Sequence, residues 1–229
     1  MAYINRKKIK SLDIAPWAGR LKDVPCFILG NAPSINDVDL SLLDNYFTIG
    51  INRIFYTYDP TILLWQDLAL WIQEKSGVLK TEAIKVCREG ADTQGGFWTF
   101  KLQGRDPRLT PIPSILYGRG SSGSISYQFA RSLGCDPIAI IGMDCSNGES
   151  DGKTITDFYG NNPMHKPHTL PNCVKGLNFI KNNHKGKTLY NCSNTPIFPE
   201  KLTIEEVISK LPDKKYSREE LKEILFKSD

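Results

Sequence analysis

Short apolar runs alternate along this chain with stretches whose apolar positions recur at helical spacing. Residues 24–29 form a continuous apolar run stopped by Gly30, the pattern of a strand buried on both faces. Residues 46–51 and 61–65 repeat it, the latter ending at Gln66-Asp67. Residues 83–87 and 97–102 are expected as shorter strands around the bend Gly95-Gly96, and residues 112–117 as another, broken by Gly118. Residues 137–141 have the most buried pattern of all, and residues 187–191 supply a last strand. Helices are expected over 37–43, 68–75, 121–133, 172–182, 204–210 and 217–226. The third closes on Gly134, the common C-terminal stop, and the last opens on the capping box Ser217-Arg218-Glu219-Glu220. Residues 146–171 read as one long polar loop.

Strands alternating with helices predict βαβ units and a parallel sheet with covered faces. The expected class is therefore α/β: a single Rossmann-like domain, a mostly parallel sheet with helices on both faces, and a helical C-terminal tail. The organisation divides into a basic N-terminal arm (1–23), a Rossmann-like body (24–200) and C-terminal helices packed on the same domain (201–229). Ligands of such sheets bind beyond the carboxyl ends of the strands. Those ends carry Gly30-Asn31, Asn52-Arg53, Gln66-Asp67, residues 118–123, Asp144 and Asn191, a polar ring that a purely structural sheet does not need.

Composition narrows the class without changing it. The 229 residues are 40% hydrophobic and 24% charged, which suits one globular domain. No apolar run approaches the ~18 residues of a membrane span, and residues 1–22 lack the apolar centre of a signal peptide, so a cytoplasmic protein without stable membrane insertion is expected. The six cysteines form no CxxC pair, which argues against structural zinc and for reduced, scattered thiols. The net charge of +4 is unevenly spread. Residues 1–22 hold six cations against Asp13, and residues 158–199 contain no acid at all. Such stretches suit an anionic ligand, either a phosphate-bearing donor or a nucleic acid, or else form a merely solvated basic face.

Three motifs carry candidate chemistry. In Gly30-Asn31-Ala32-Pro33-Ser34, Gly30 permits a tight turn, and Asn31 and Ser34 offer an amide and a hydroxyl ahead of a helix whose N-terminus favours an anion. The alternative is that both residues only cap that helix. Arg119-Gly120-Ser121-Ser122-Gly123-Ser124 is a second small-residue loop at a helix N-terminus. It is no Walker A loop, and Gly30 begins no GxGxxG fingerprint, so ATP or NAD binding of the familiar kinds is disfavoured. The long loop holds Asp157-Phe158-Tyr159-Gly160 and His165-Lys166-Pro167-His168. Either histidine is a candidate general base, and Lys166 or Tyr159 a candidate partner for a leaving phosphate. Asp37-Val38-Asp39 has the form of a metal-binding Asp-x-Asp, but its acids suit the start of a helix, and no metal site is expected. Among the aromatics, Trp98 beside Gly95-Gly96 is the one expected to reach a ligand.

Taken in order, residues 27–34 resemble the Gly-Asn-Gly-Pro-Ser turn of the bacterial CMP-sialic-acid-dependent sialyltransferases, glycosyltransferase family 42. The turn also resembles that of a related group that includes archaeal hydroxymethylpterin pyrophosphokinases. Asn52-Arg53-Ile54-Phe55-Tyr56 resembles their Asn-x-Phe/Tyr segment, and residues 119–123 their Arg-x-Thr-Ser-Gly. Gly142-Met143-Asp144 resembles their Gly-x-Asp, and residues 189–206 the final strand and helix of the wider group. The resemblance covers about residues 24–210 and departs at Ala32, where the family has glycine.

The resemblance implies a metal-independent transferase. Gly30, Asn31, Ser34, Asn52, Arg119, Ser121, Ser122, Gly123 and Asp144 would form the donor site. His168 or His165 would be the base, with Tyr159 at the leaving phosphate. The expected function is transfer of a sugar from a nucleotide-sugar donor, the co-substrate in place of any cofactor, to an acceptor hydroxyl. The leading acceptor is a hydroxymethylated base in DNA, suggested by the basic arm and the acid-free stretch. The alternatives are a surface glycan, a pterin pyrophosphokinase-like reaction using Asp67 and Asp144 with magnesium, and a non-catalytic nucleotide or nucleic-acid binder.

Overall fold

The computed structural model describes residues 11–118, 121–162 and 165–227. Eleven strands and five α-helices are present among them. β1 (Leu12–Asp13) precedes β2 (Cys26–Leu29), β3 (Phe47–Ile51) and β4 (Ile62–Trp65). Helix α1 (Leu68–Lys80) leads to β5 (Ile84–Arg88), β6 (Trp98–Gln103) and β7 (Ile115–Tyr117). Then follow α2 (Ser122–Ser132), β8 (Ile138–Ile141), β9 (Gly148–Ser150) and β10 (Lys153–Ile155). The chain ends with α3 (Thr169–Asn183), β11 (Leu189–Asn191), α4 (Ile204–Ile208) and α5 (Arg218–Phe226).

The main sheet runs β1-β6-β5-β4-β3-β2-β8-β11, with β7 also pairing to β6, and every pairing in it is parallel. The fold is α/β and Rossmann-like, with a helical tail. β2, β3, β4 and β8 are buried at every residue, which is why they read as unbroken apolar runs rather than alternating ones. Successive residues serve opposite faces. Ile28 and Ile140 join one core cluster with Trp17, Phe129 and Leu225, while Phe27, Leu29 and Ile141 join the other with Trp65, Trp71 and Val207. The tail thus covers both faces, through Leu221 and Leu225 of α5 on one and Ile204 and Val207 of α4 on the other. No described helix is long and apolar enough to cross a membrane.

Five features differ from the sequence reading. The segment after Gly30 is not an α-helix but two 3₁₀ turns, Pro33–Asp37 and Leu40–Leu43, because Pro33 and the β-branched and short polar residues around it favour caps over helix interior. The 146–171 stretch is not a plain loop. It contains the antiparallel β9–β10 hairpin, and α3 begins at Thr169, ahead of the expected 172. Helix α1 runs on to Lys80. Residues 11–23 are built into the body: β1 pairs with β6, and Trp17 and Leu21 are fully buried. Their basic neighbours Arg6, Lys7, Lys8 and Lys10 lie outside the described residues. Trp98 does not reach a ligand site. It begins β6, at the end of the sheet away from the glycine turns, and stacks on Phe226 (5.4 Å) beside Trp17 (4.6 Å).

The strand order places a topological switch between β2 and β8. From β2 the chain moves outward through β3, β4, β5 and β6, then returns to lay β8 on the other side of β2. A crevice opens at the carboxyl ends of the two strands where the order reverses, the place such sheets use for ligands.

Candidate functional site

Two glycines shape the crevice. Gly30 N–H donates to the Ile141 carbonyl (2.8 Å) and Ala32 N–H to the Gly142 carbonyl (2.9 Å). A Cβ on Gly30 would lie 2.1 Å from the Gly142 oxygen. Gly142 itself has φ +64°, and a Cβ there would lie 2.4 Å from Ile35. Neither position admits a side chain, so the loops after β2 and β8 meet backbone to backbone. Ala32 has φ −68° in extended backbone, so nothing at that residue demands glycine.

Asp144 ties these loops together. Its carboxylate accepts the Ser34 hydroxyl (2.6 Å), the Ser34 N–H (3.1 Å) and the Asn194 N–H (2.9 Å). Ser34 and Asp144 are 3% and 5% exposed. Asn31 plays the matching part toward β3: its Nδ2 donates to the Ile51 carbonyl (2.6 Å) and its Oδ1 accepts the Arg53 N–H (3.0 Å). Asn52, beside it, holds φ +51°. Ser34, Asp144 and Asn31 therefore spend their side-chain groups on joining strand ends, and what they present to the crevice is mainly backbone.

Above the crevice is a cavity of about 680 Å³ lined by Gly30, Asn31, Asn52, Ser121, Ser122, Gly123 and Asp144, among others. Seven of the nine donor-site residues read from the sequence thus share one cavity wall, and Ser34 sits just behind it. Arg119 lies outside the described residues, with Gly120. Ser121 caps α2, its hydroxyl accepting the Ser124 N–H (3.3 Å), and Ser122 Oγ accepts Gln66 Nε2 (2.8 Å). The first-turn N–H groups of an α-helix have no partner within it, so the α2 N-terminus offers donors and a positive dipole end to the cavity.

The opposite lining comes from the segment around β10 and α3. His165 Nε2 lies 3.3 Å from Asp157 Oδ2, with only 23% and 7% of the two side chains exposed, and both residues line the cavity. Burial holds the Asp157 carboxyl above its ordinary range. His165 and hydrogen bonds from Asn162, Thr156 and Tyr159 pull it part of the way back. His168 also lines the cavity but is exposed, at the N-terminal cap of α3 with no side-chain cap bond. Lys166 lies beside it, exposed, with its backbone N–H on Thr169 Oγ1 (2.9 Å).

Tyr159 turns away from the cavity lining. Its ring sits under the Arg53 guanidinium (5.6 Å) and against Tyr56 (5.5 Å), and burial and Asp157 push its hydroxyl pKa up. Arg53 is the hub of this corner. It donates to Glu74 (2.8 Å), Gln73 (2.6 Å), Tyr159 (3.5 Å) and Asn162 (3.5 Å), fastening the 157–162 segment to α1. The same segment docks on the first turn, Phe158 N–H donating to the Asn31 carbonyl (2.9 Å) and Asn36 Nδ2 to the Phe158 carbonyl (3.0 Å).

Asp157, Arg53, Gln73 and Glu74 are the residues that sequence reasoning passed over as functional. Asp157 and His165 stand near each other in one polar segment, which was a usable signal. Arg53 and α1 left none, since their contact is made only by the fold. Two further wall residues, Cys145 (φ +56°) and Cys173, are free thiols that act on each other, Cys173 pushing the Cys145 pKa up and Cys145 drawing that of Cys173 down. Among the described residues no three His, Cys, Asp or Glu side chains converge as a metal site requires. No protein-family model, curated protein or solved structure matches this chain.

Proposed function

We propose that the chain is a glycosyltransferase that binds a nucleotide-sugar donor in the switch-point cavity and uses His165 as general base. The observation that carries this reading is the His165–Asp157 pair facing the same cavity as the open N-terminus of α2. A buried carboxylate on one imidazole nitrogen orients the ring and supports the cation that forms when the other nitrogen takes a proton. The donor phosphates lie at the α2 N-terminus, on the N–H groups of Ser122 and Gly123, with Lys166 adding charge. The acceptor hydroxyl gives its proton to His165 as its oxygen bonds to the anomeric carbon. The bond from that carbon to the phosphate oxygen breaks, and the phosphate leaves with the electron pair.

His168 is exposed and has no carboxylate partner among the described residues, which favours His165 as the base. A magnesium-dependent pyrophosphoryl transfer is less well supported, because the Asp144 carboxylate is already filled by three protein donors. The test is a screen of nucleotide sugars for donor hydrolysis and transfer, repeated on two variants. Loss of the base costs about 10²–10⁴ in rate, so His165→Asn is expected to fall by that factor while His168→Asn stays within about threefold. The assignment is wrong if the two histidines exchange these results, or if neither substitution lowers turnover.

A further inference from the structure

Beside the main cavity lies a second hollow of about 450 Å³. It is lined by Gln66 and Asp67 after β4, Arg88 and Glu89 at the end of β5, and Lys101 and Gln103 of β6. Gln66 and Asp67 also line the main cavity, so the two spaces meet at these residues. Arg88 uses its Nε on the Gln66 carbonyl (2.6 Å). Its two terminal nitrogens, and the Lys101 ammonium, have no hydrogen-bond or ion-pair partner among the described residues. The Asp67 carboxylate makes no capping bond to α1, although it stands at the cap position. A cation fork, a second cation, two carboxylates, the Gln103 amide and the Gln66 side-chain oxygen therefore line one hollow at the strand ends, the Gln66 Nε2 being already spent on Ser122 Oγ.

We infer that this hollow is the acceptor subsite, and that it takes a small hydroxylated acceptor bearing one anionic group, an acidic sugar or a sugar phosphate. The guanidinium fork matches a carboxylate or phosphate in two parallel bonds, and Lys101 adds a point charge. Asp67, Glu89 and the Gln66 side-chain oxygen accept from hydroxyls, and the Gln103 amide accepts from or donates to them. Asp67, at the junction, accepts from an acceptor hydroxyl next to the one that gives its proton to His165. A DNA acceptor fits these groups less well. Phosphodiester binding wants rows of cations, whereas carboxylates alternate with the cations here. Extruded or single-stranded bases want aromatic platforms, and no aromatic side chain lines the hollow.

The word acceptor rests on the nucleotide-donor reading of the main cavity, so the test measures the two sites separately. The full chain is titrated calorimetrically with glucose, glucose 6-phosphate, glucuronate and a short single-stranded DNA. A parallel thermal-shift series uses CMP and UDP. Both sets are repeated on the Arg88→Gln/Lys101→Gln variant. The expected result is that glucose 6-phosphate or glucuronate binds at least about tenfold more tightly than glucose, a difference of about 1.4 kcal/mol. The double substitution is expected to remove that preference and leave the nucleotide shift intact. The inference is overturned if no sugar binds, if the variant binds the anionic sugars as wild type does, or if DNA binds this hollow in their place. Sugar binding without any nucleotide shift would instead sink the donor reading and leave the anionic-sugar subsite standing.

Discussion

Asp144→Asn and Asp144→Ala probe the joint on which the crevice depends. The carboxylate is 5% exposed and holds three donors: Oδ1 accepts the Ser34 hydroxyl and the Asn194 N–H, and Oδ2 accepts the Ser34 N–H. An asparagine whose carbonyl takes the Oδ1 place keeps two of these and turns its NH₂ toward the Ser34 N–H. One buried donor is then left unmatched and the charge assistance is lost. An unmatched buried group costs about 1–3 kcal/mol, so a loss of about 2 kcal/mol is expected. Alanine strands both backbone N–H groups, while the hydroxyl can rotate to another acceptor, and the expected loss is about 4 kcal/mol. In a chain of this size 1 kcal/mol moves Tm by about 2–4 °C, so the two variants should melt about 4–8 °C and 8–16 °C lower. Urea unfolding followed by circular dichroism supplies the free energies independently. The reasoning is refuted if both variants lie within about 0.5 kcal/mol of wild type, the range of an ordinary surface substitution.

Two other substitutions separate packing from chemistry. Gly30→Ala drives a Cβ to 2.1 Å from a backbone oxygen that cannot yield, and a loss of about 3 kcal/mol or more is expected by denaturant unfolding. Ala32→Gly, where φ is −68°, should cost only about 0.5–1 kcal/mol through the freer unfolded chain, and equal losses at the two positions would contradict the close-approach argument. Asp157→Asn tests linkage. Burial raises the folded-state pKa of Asp157 above its unfolded value, so the native state binds more protons between the two, and wild-type stability falls as pH rises through that window. The variant lacks this fall, so its stability relative to wild type should improve from acid toward neutral pH while turnover drops. A stability difference that does not change with pH would contradict the assignment.

The sheet was readable because parallel strands buried on both faces leave continuous apolar runs, and Gly30, Gly118 and Gly142 mark where those runs end. The convergence of residues 30–34, 121–123 and 144 was readable too, since strand ends in such a sheet share one edge. Their roles were not. Asn31, Ser34 and Asp144 look like ligand contacts in sequence, yet their side chains are consumed in joining β2, β3 and β8, and only the pairing of distant segments shows this. The choice between His165 and His168 was invisible for the same reason. Spacing treats them alike, and what differs is the buried Asp157 against one and solvent around the other. Arg53 reads as a surface cation after a strand and proves 5% exposed, because α1 and the 157–162 segment close over it.

Donor binding is the claim from which the chemistry follows, and a thermal-shift titration with CMP, UDP and GDP and their sugar conjugates tests it most directly. At 100 times its dissociation constant a bound nucleotide stabilises the fold by about 2.7 kcal/mol, which for a chain of this size is a rise of about 5–11 °C. The expected result is such a rise for one nucleotide family, surviving EDTA and reduced when bulk is placed at Gly123 on the cavity wall. No rise with any nucleotide, or a rise that the Gly123 substitution leaves unchanged, would contradict the assignment of this cavity as a nucleotide-donor site.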